Sequence, residues 1–271
     1  MTFTVLVLSF LFGLVFGSFL NVCIYRIPRD LSVVAPRSFC PECGNQLAWT
    51  HNIPILSYFL LRGRCGHCAQ SIGIRYPLVE LTGGILFALI AFKYGWSIEG
   101  AKWATFELLL TALFWTDLEE RILPDELTIG GALVGLVFSV FVGVSGVLGP
   151  LLLPNSSNLW QSLVNAVLGA LLVALPIWLI GGVYGLLRKR EALGLGDVKL
   201  LLMLGIFLGP EAGILALTIG AVAGALVGVV LLIRLRGGAG SYELPFGSFL
   251  CAGAVIMPFL SYSLQSPLAV P

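Results

Sequence analysis

Charge is what this sequence has least of. Asp, Glu, Lys and Arg together make up 11% of its 271 residues, against 58% hydrophobic residues. Water-soluble globular domains usually carry about 25% charged residues. That shortage excludes an ordinary soluble domain, because one core has no room for so much apolar surface. Net charge is equally small, at +1, and no basic stripe is present, so nothing points to nucleic acid. There are only two histidines, His51 and His67. No Gly-x-Gly-x-x-G segment and no internal repeat occur, which removes the usual dinucleotide-fold and inverted-repeat signatures. The chain has instead repeated apolar runs near the roughly 20 residues that a membrane-crossing helix needs.

The pattern predicts an all-α polytopic membrane protein of about eight helical spans, near 3–25, 77–94, 101–117, 127–146, 160–187, 198–208, 211–234 and 246–263. The sixth is short. It is either tilted or pairs with the seventh across Gly209-Pro210 as a tight hairpin, which leaves seven as the alternative count. Lys and Arg accumulate on the cytoplasmic side of membrane proteins. Arg26, Arg29, Arg37, Arg62, Arg64 and Arg75 lie between the first two spans. If that side is cytoplasmic, Arg121, Arg188, Lys189, Arg190, Lys199, Arg234 and Arg236 also fall inside, and only Lys93 and Lys102 fall outside. Both termini are then non-cytoplasmic. The first span lacks a basic start and a small-x-small cleavage site, so it reads as a retained anchor. The expected organisation is a first membrane helix over 1–25, a cytoplasmic loop domain over 26–76 and a membrane domain over 77–271.

The loop contains Cys40-Pro41-Glu42-Cys43-Gly44 and Cys65-Gly66-His67-Cys68, with 21 residues between the pairs. Two C-x2-C pairs suit a single tetrahedral zinc held by four thiolates. Two disulfides or free thiols fit the same spacing, but a cytoplasmic loop lies in a reducing compartment. So small a segment has little core of its own, and a metal staple compensates. His67 is a possible substitute ligand, though a solvated histidine is the plainer reading. Cys23 and Cys251 sit within spans as small apolar fillers.

An acid in a membrane costs about 2.5–3.5 kcal/mol at the bilayer centre, so each calls for an account. Glu80 and Glu107 fall within the second and third spans. Asp117 closes the third, in Trp115-Thr116-Asp117-Leu118-Glu119-Glu120-Arg121-Ile122-Leu123-Pro124-Asp125. Asp197 opens the sixth, in Gly194-Leu195-Gly196-Asp197-Val198-Lys199. By the charge-derived topology both reach the cytoplasmic face. Two carboxylates sharing a site divide into a protonated and an ionised member, the acid–base arrangement of aspartic proteases. Each Asp also suits a helix cap or interfacial water. Asp125 reads as the N-cap of the fourth span. Glu119 and Glu120 read as a solvated turn with Arg121. Lys199, two residues from Asp197, is not expected to face it.

These residues resemble the prepilin peptidases, or type IV leader peptidases, of type IV pilus and type II secretion systems. The resemblance covers most of the chain in order. It starts at Phe16-Gly17-Ser18-Phe19-Leu20-Asn21-Val22 and Tyr25-Arg26-Ile27-Pro28. It continues through the cysteine loop with Trp49, Asn52-Ile53-Pro54 and Ser57-Tyr58, then Arg75-Tyr76-Pro77 and Glu80-Leu81. The two Asp motifs follow, and Leu244-Pro245-Phe246-Gly247 comes last. The Gly-x-Gly-Asp segment is also similar to that of presenilin-type proteases, but the cysteine loop and the Gly-Ser-Phe-Leu-Asn start favour the prepilin branch.

The resemblance implies that Asp117 and Asp197 are catalytic and that the substrate is a prepilin or pseudopilin, cut at the cytoplasmic face of the inner membrane after a Gly that precedes its hydrophobic helix. It also implies N-methylation of the new terminus with S-adenosylmethionine. Gly17, Ser18, Asn21 and Glu80 are candidate contacts for that cofactor, with helix packing or interhelical hydrogen bonding as the plainer roles. Where relatives often show Pro-Phe-Gly-Pro, this chain has Pro245-Phe246-Gly247-Ser248, expected to alter a loop bend but leave the chemistry alone. A serine peptidase built on Gly143-Val144-Ser145-Gly146 is disfavoured, because both histidines fall on the opposite side from Ser145. A proton-coupled transporter and a non-catalytic zinc-stapled assembly scaffold are the other rivals.

Overall fold

Every expected span contains helix in the computed structural model, which describes residues 2–188, 194–234 and 244–264. Lys189, Arg190 and Arg236, placed inside by the charge pattern, lie outside the described residues. Helix α1 (Phe3–Arg26) ends in two short 3-10 turns and the small helix α2 (Leu56–Leu60); α3 (Arg75–Tyr94) and α4 (Ile98–Glu120) follow. Then come α5 (Asp125–Phe141), α6 (Leu148–Leu152), α7 (Asn158–Arg188), α8 (Leu195–Leu208), α9 (Pro210–Arg234), α10 (Phe246–Val255) and α11 (Met257–Leu264). Two compact units emerge, Met1–Ala112 and Leu113–Pro271, and the division falls inside α4.

Four helices are long and apolar enough to cross a membrane: Phe3–Arg29, Arg75–Tyr94, Asn158–Leu187 and Pro210–Arg234. The others fall short for visible reasons. Charge interrupts α4 at Glu99, Lys102, Glu107, Asp117, Glu119 and Glu120, while α5, α8 and α10 have 17, 14 and 10 residues. The fourth expected span, 127–146, ends earlier than its hydropathy suggests. Val142 is extended, and the chain beyond it forms a loop. Polar side chains of α7 hold that loop. Ser162 accepts the Val144 N–H at 2.9 Å, and Asn165 accepts the Gly149 N–H at 2.7 Å while donating to the Val144 carbonyl at 3.0 Å. Those bonds replace the helical ones the loop gives up. The last expected span divides at Ile256, ahead of Met257-Pro258, into α10 and α11.

In the first unit α1 packs along α3 through small residues. A Cβ on Gly17 would lie 2.7 Å from the Glu80 Cα, so only glycine permits this approach. Without a hydrophobic drive between helices in lipid, such close backbone packing is a main source of association. The end of α3 is tied back by the Trp96 indole, which donates to Ser9 at 2.8 Å. In the second unit α8 sits against α5 and α7, and α10 against α9. The sixth and seventh expected spans are α8 and α9, joined through Gly209 at φ 80°. Both candidate acids begin or end helices: Asp117 lies in the last turn of α4, and Asp197 in the first turn of α8.

Replacing Gly17 by Val is expected to lower stability by roughly 1–3 kcal/mol through overpacking. Gly130→Ala, whose Cβ meets nothing within 4 Å, is the matched neutral control. Denaturant unfolding of both variants in one detergent measures the difference.

Candidate metal, cofactor and catalytic sites

Each cysteine pair folds into the same small turn. Cys40 N–H donates to the Asn45 carbonyl at 2.9 Å and Gly44 N–H to the Cys40 carbonyl at 2.8 Å. In the second copy, Cys65 N–H donates to Gln70 at 2.8 Å and Ala69 N–H to Cys65 at 3.0 Å. The residue after each second cysteine takes the left-handed conformation, Gly44 at φ 70° and Ala69 at φ 56°. Isolated antiparallel bridges, Phe39 with Gln46 and Arg64 with Ser71, close the two turns. Their Sγ atoms converge: Cys40, Cys43, Cys65 and Cys68 all lie within 4.8 Å of one another, and the Cys40–Cys68 pair is 3.9 Å apart. Tetrahedral zinc with bonds of about 2.3 Å needs sulfur separations of roughly 3.8 Å, so the cluster fits that ion. None of the cysteines is in a disulfide. Backbone N–H groups of Cys68 and His67 bring the Cys65 thiol down to about 6, which favours the ligating thiolate. His67 is exposed and is not among the clustered ligands.

Beside this cluster the first unit encloses a cavity of about 270 Å³, bordered by Ser18, Asn21, Tyr25, His51, Tyr76 and Glu80 among others. The Asn21 Oδ1, an acceptor, and the His51 Nδ1 are buried in its wall with no partner among the described residues. Glu80 Oε2 accepts the N–H of Ile55 at 2.7 Å, and the Ser18 hydroxyl also bonds to Glu80. Ile55 sits at φ 62°, an uncommon state for a β-branched residue, so the carboxylate holds strained backbone in place. Asn21 uses its amide to hold the carbonyl of Tyr76 at 3.0 Å. Of the four residues expected to contact a cofactor, Ser18, Asn21 and Glu80 therefore meet at one cavity, while Gly17 serves the α1–α3 contact.

The second unit organises the aspartates. Asp117 is 5% exposed at the C-terminal end of α4, where a carboxylate opposes its own helix dipole. Its partner belongs to another helix. Ser248, in the first turn of α10, donates its N–H to Asp117 Oδ2, and its hydroxyl lies 2.9 Å from the same oxygen. Gly247 comes equally near, since a Cβ there would lie 3.1 Å from the Asp117 Cγ. Asp197 lies in the first turn of α8, whose N-cap is Gly194. Leu123 joins the two surroundings: a Cβ on Gly196 would meet its Cβ at 3.1 Å, and one on Gly247 would meet its Cδ1 at 2.9 Å.

Two expectations change. Asp125 is not an N-cap: Pro124 occupies that position in an extended conformation, and Asp125 is already helical. Its carboxylate takes both bonds from Lys199 Nζ, at 2.6 and 2.9 Å, which ties α5 to α8 and points Lys199 away from Asp197. Ser248 does not merely bend a loop, because it is helical and bonded to Asp117. A separation of 131 residues hid that contact from sequence reading; the only available hint was a polar residue at the start of an apolar helix.

Comparison with known proteins agrees with this geometry. The Bacterial Peptidase A24 N-terminal domain matches residues 11–94, and the Type IV leader peptidase family matches residues 104–229. The Pseudomonas putida prepilin leader peptidase/N-methyltransferase is 34% identical over 265 residues, covering 90% of this chain and 86% of its own. The chain belongs to the type IV leader peptidase family. A relative of the same name in Neisseria gonorrhoeae is 36% identical over 84% of this chain and 82% of its own. The Myxococcus xanthus (strain DK1622) relative is 39% identical over 84% of this chain, which spans 63% of that relative's length. No solved structure matches. The first family match ends in α3 and includes the cysteine cluster and the cavity; the second contains both aspartates and ends before Ser248.

Metal analysis of the purified chain is expected to find about one zinc per chain. Cys40→Ser and Cys65→Ser should each lose it and expose 26–76 to protease. Unchanged metal content in both would rule out the four-thiolate site.

Proposed function

We propose that the chain removes the leader peptide of prepilins or pseudopilins with Asp117 and Asp197 as its two catalytic groups, and then methylates the new amino terminus. The observation that carries this is the pairing of two acids at helix ends around Leu123, in a chain of this family. The ionised carboxylate takes a proton from water as the water oxygen bonds to the scissile carbonyl carbon. The protonated one gives its hydrogen to the carbonyl oxygen. As the C–N bond breaks, the carboxyl that took the water proton passes it to the departing amine, the other carboxylate takes a proton from the gem-diol hydroxyl as the carbonyl reforms, and the pair again holds one proton. Lys199 and Asp125 support the site by fixing the start of α8 relative to α5.

For methylation, the cavity in the first unit is the site this reading favours. The Asn21 Oδ1 acceptor and the His51 ring nitrogen, both without a partner among the described residues, together with the carboxylate of Glu80 in the wall, suit a cationic ligand that carries hydrogen-bond donors. S-adenosylmethionine supplies an electrophilic methyl group when bound. Ser18, Asn21 and Glu80 would hold it, and the neighbouring zinc would keep the loop folded over the cavity. The reading places the chain in the bacterial inner membrane with eight spans, both termini outside, and 26–76 in the cytoplasm. Support comes from the four long apolar helices together with the distribution of Lys and Arg. Membership of this family favours that reading over a transporter or an inert scaffold.

With a prepilin substrate in detergent, Asp117→Asn and Asp197→Asn are each expected to reduce cleavage at least ~1,000-fold while remaining folded and competent to methylate pre-cut substrate. Near-normal cutting by either variant would remove that acid from the mechanism. Glu80→Gln is expected to weaken S-adenosylmethionine binding about tenfold by calorimetry and to leave cleavage intact. Equal binding by wild type and variant would move the methyl-donor site elsewhere.

A further inference from the structure

Helix α2 has two unlike faces. Ser57, Tyr58 and Leu61 border the cavity of the first unit. Leu56, Phe59 and Leu60, at positions i, i+3 and i+4, form the other face and are 52%, 69% and 71% exposed. Large apolar side chains left open to this extent within one short helix call for a covering partner. The 3-10 turn Trp49–Asn52 contacts α2 and adds the Trp49 ring, 72% exposed. Depth decides what the partner is. The N–H of Ile55, the residue that introduces α2, donates to Glu80 Oε2 at 2.7 Å. Glu80 lies inside α3, about 7.5 Å along the helix axis from Arg75 at roughly 1.5 Å per residue. Arg75–Tyr94 is one of the helices long and apolar enough to cross a membrane. The start of α2 is therefore level with the span itself, not with the water beyond its end. Near that level α3 exposes Leu78, Leu81 and Ile85. Arg62 and Arg64, exposed just past the end of α2, supply cations suited to lipid headgroups.

We infer that α2 is a membrane-inserted helix: Leu56, Phe59 and Leu60 rest on the acyl chains of the cytoplasmic leaflet, with Trp49 at their edge and Arg62 and Arg64 among the phosphates. This rests on the reading of α3 as a span with Arg75 at its cytoplasmic end. An amphipathic segment of this kind lies in the interface with its apolar side ~5–10 Å into the boundary between headgroups and acyl chains. Bilayer lipid fits the surface because the face itself is uncharged, the arginines follow it, and α2 begins at the depth of the outward apolar residues of α3. The segment 26–76 is then cytoplasmic except along this one wall. Since the other side of α2 borders the cavity, the methyl-donor site proposed above lies at the leaflet edge. The end of a substrate's apolar helix can meet it there without leaving the lipid.

The test uses the full wild-type chain, without substrate, in vesicles of phosphatidylcholine and phosphatidylglycerol. The vesicles carry a trace of phospholipid with a photoreactive diazirine, either in the upper part of an acyl chain or on the headgroup, and labelled peptides are mapped by mass spectrometry. The acyl-chain probe is expected to label 56–60 within about twofold of 78–85 on α3, and to label the exposed first cysteine turn, 41–46, at least ~10-fold less. If 56–60 is labelled no more than 41–46, or by the headgroup probe alone, while 78–85 takes the acyl-chain probe, the inference is overturned and the reading of α3 stands. If 78–85 also escapes the acyl-chain probe, α3 is not a span and α2 insertion fails with it. A photoreactive phenylalanine analogue in place of Phe59 checks the occupant directly and is expected to form a lipid adduct. A cross-link to a second copy of the chain, or to an added prepilin, with no lipid adduct, assigns the face to that partner and overturns the inference.

Discussion

The Asp117 carboxylate is held by the first turn of α10, and that contact joins the end of α4 to α10 in the second unit. A carboxylate at the C-terminal end of α4 is disfavoured by its own helix, and a helix beginning inside an apolar environment has N–H groups without partners. Each element carries the complement of the other's deficit. Ser248 donates to Asp117, Gly247 lets the backbone approach, and Leu123 fills the space between this pair and the glycines that introduce Asp197. Burial makes the arrangement directional, since little water is present to substitute for a misplaced donor.

The first unit solves a different problem with the same scarcity of charge. Its two long helices approach through Gly17 and neighbouring glycines, which brings Ser18, Asn21 and Glu80 to one wall of a cavity. The segment between them is too small for a core and gathers four sulfur atoms instead. Arg26, buried at the end of α1, donates to the Ser32 and Arg37 carbonyls and lies over the ring of Phe39, next to Cys40. Helix packing, cysteine cluster and cavity thus form one continuous piece of structure within the family's N-terminal match.

Much of this was legible in the order of residues. Apolar runs located the helices, because a bilayer demands length and hydrophobicity that few other settings do. Paired cysteines announced a common ligand set, since C-x2-C brings two sulfurs together by local geometry alone. Expectation failed where a partner distant in sequence decided the outcome. Pro124 took the capping position and released Asp125 to Lys199, 74 residues away. Ser162 and Asn165 supported a loop where hydropathy suggested more of α5. Ser248 meets Asp117 because α10 starts beside it.

By itself the sequence determined that the chain is helical and membrane-embedded in character, that four thiolates form one set, and that Asp117 and Asp197 are the acids whose placement calls for explanation. Composition, apolar run length and ligand spacing are local quantities, and they suffice for those conclusions. Tertiary structure alone decided that Asp117 Oδ2 meets the start of α10. It also decided that Asn21 and Glu80 face one cavity while Gly17 is consumed in packing, and that Lys199 turns to Asp125. Those outcomes depend on bonds between helix ends and on the close approach of backbones, which no spacing along the chain encodes.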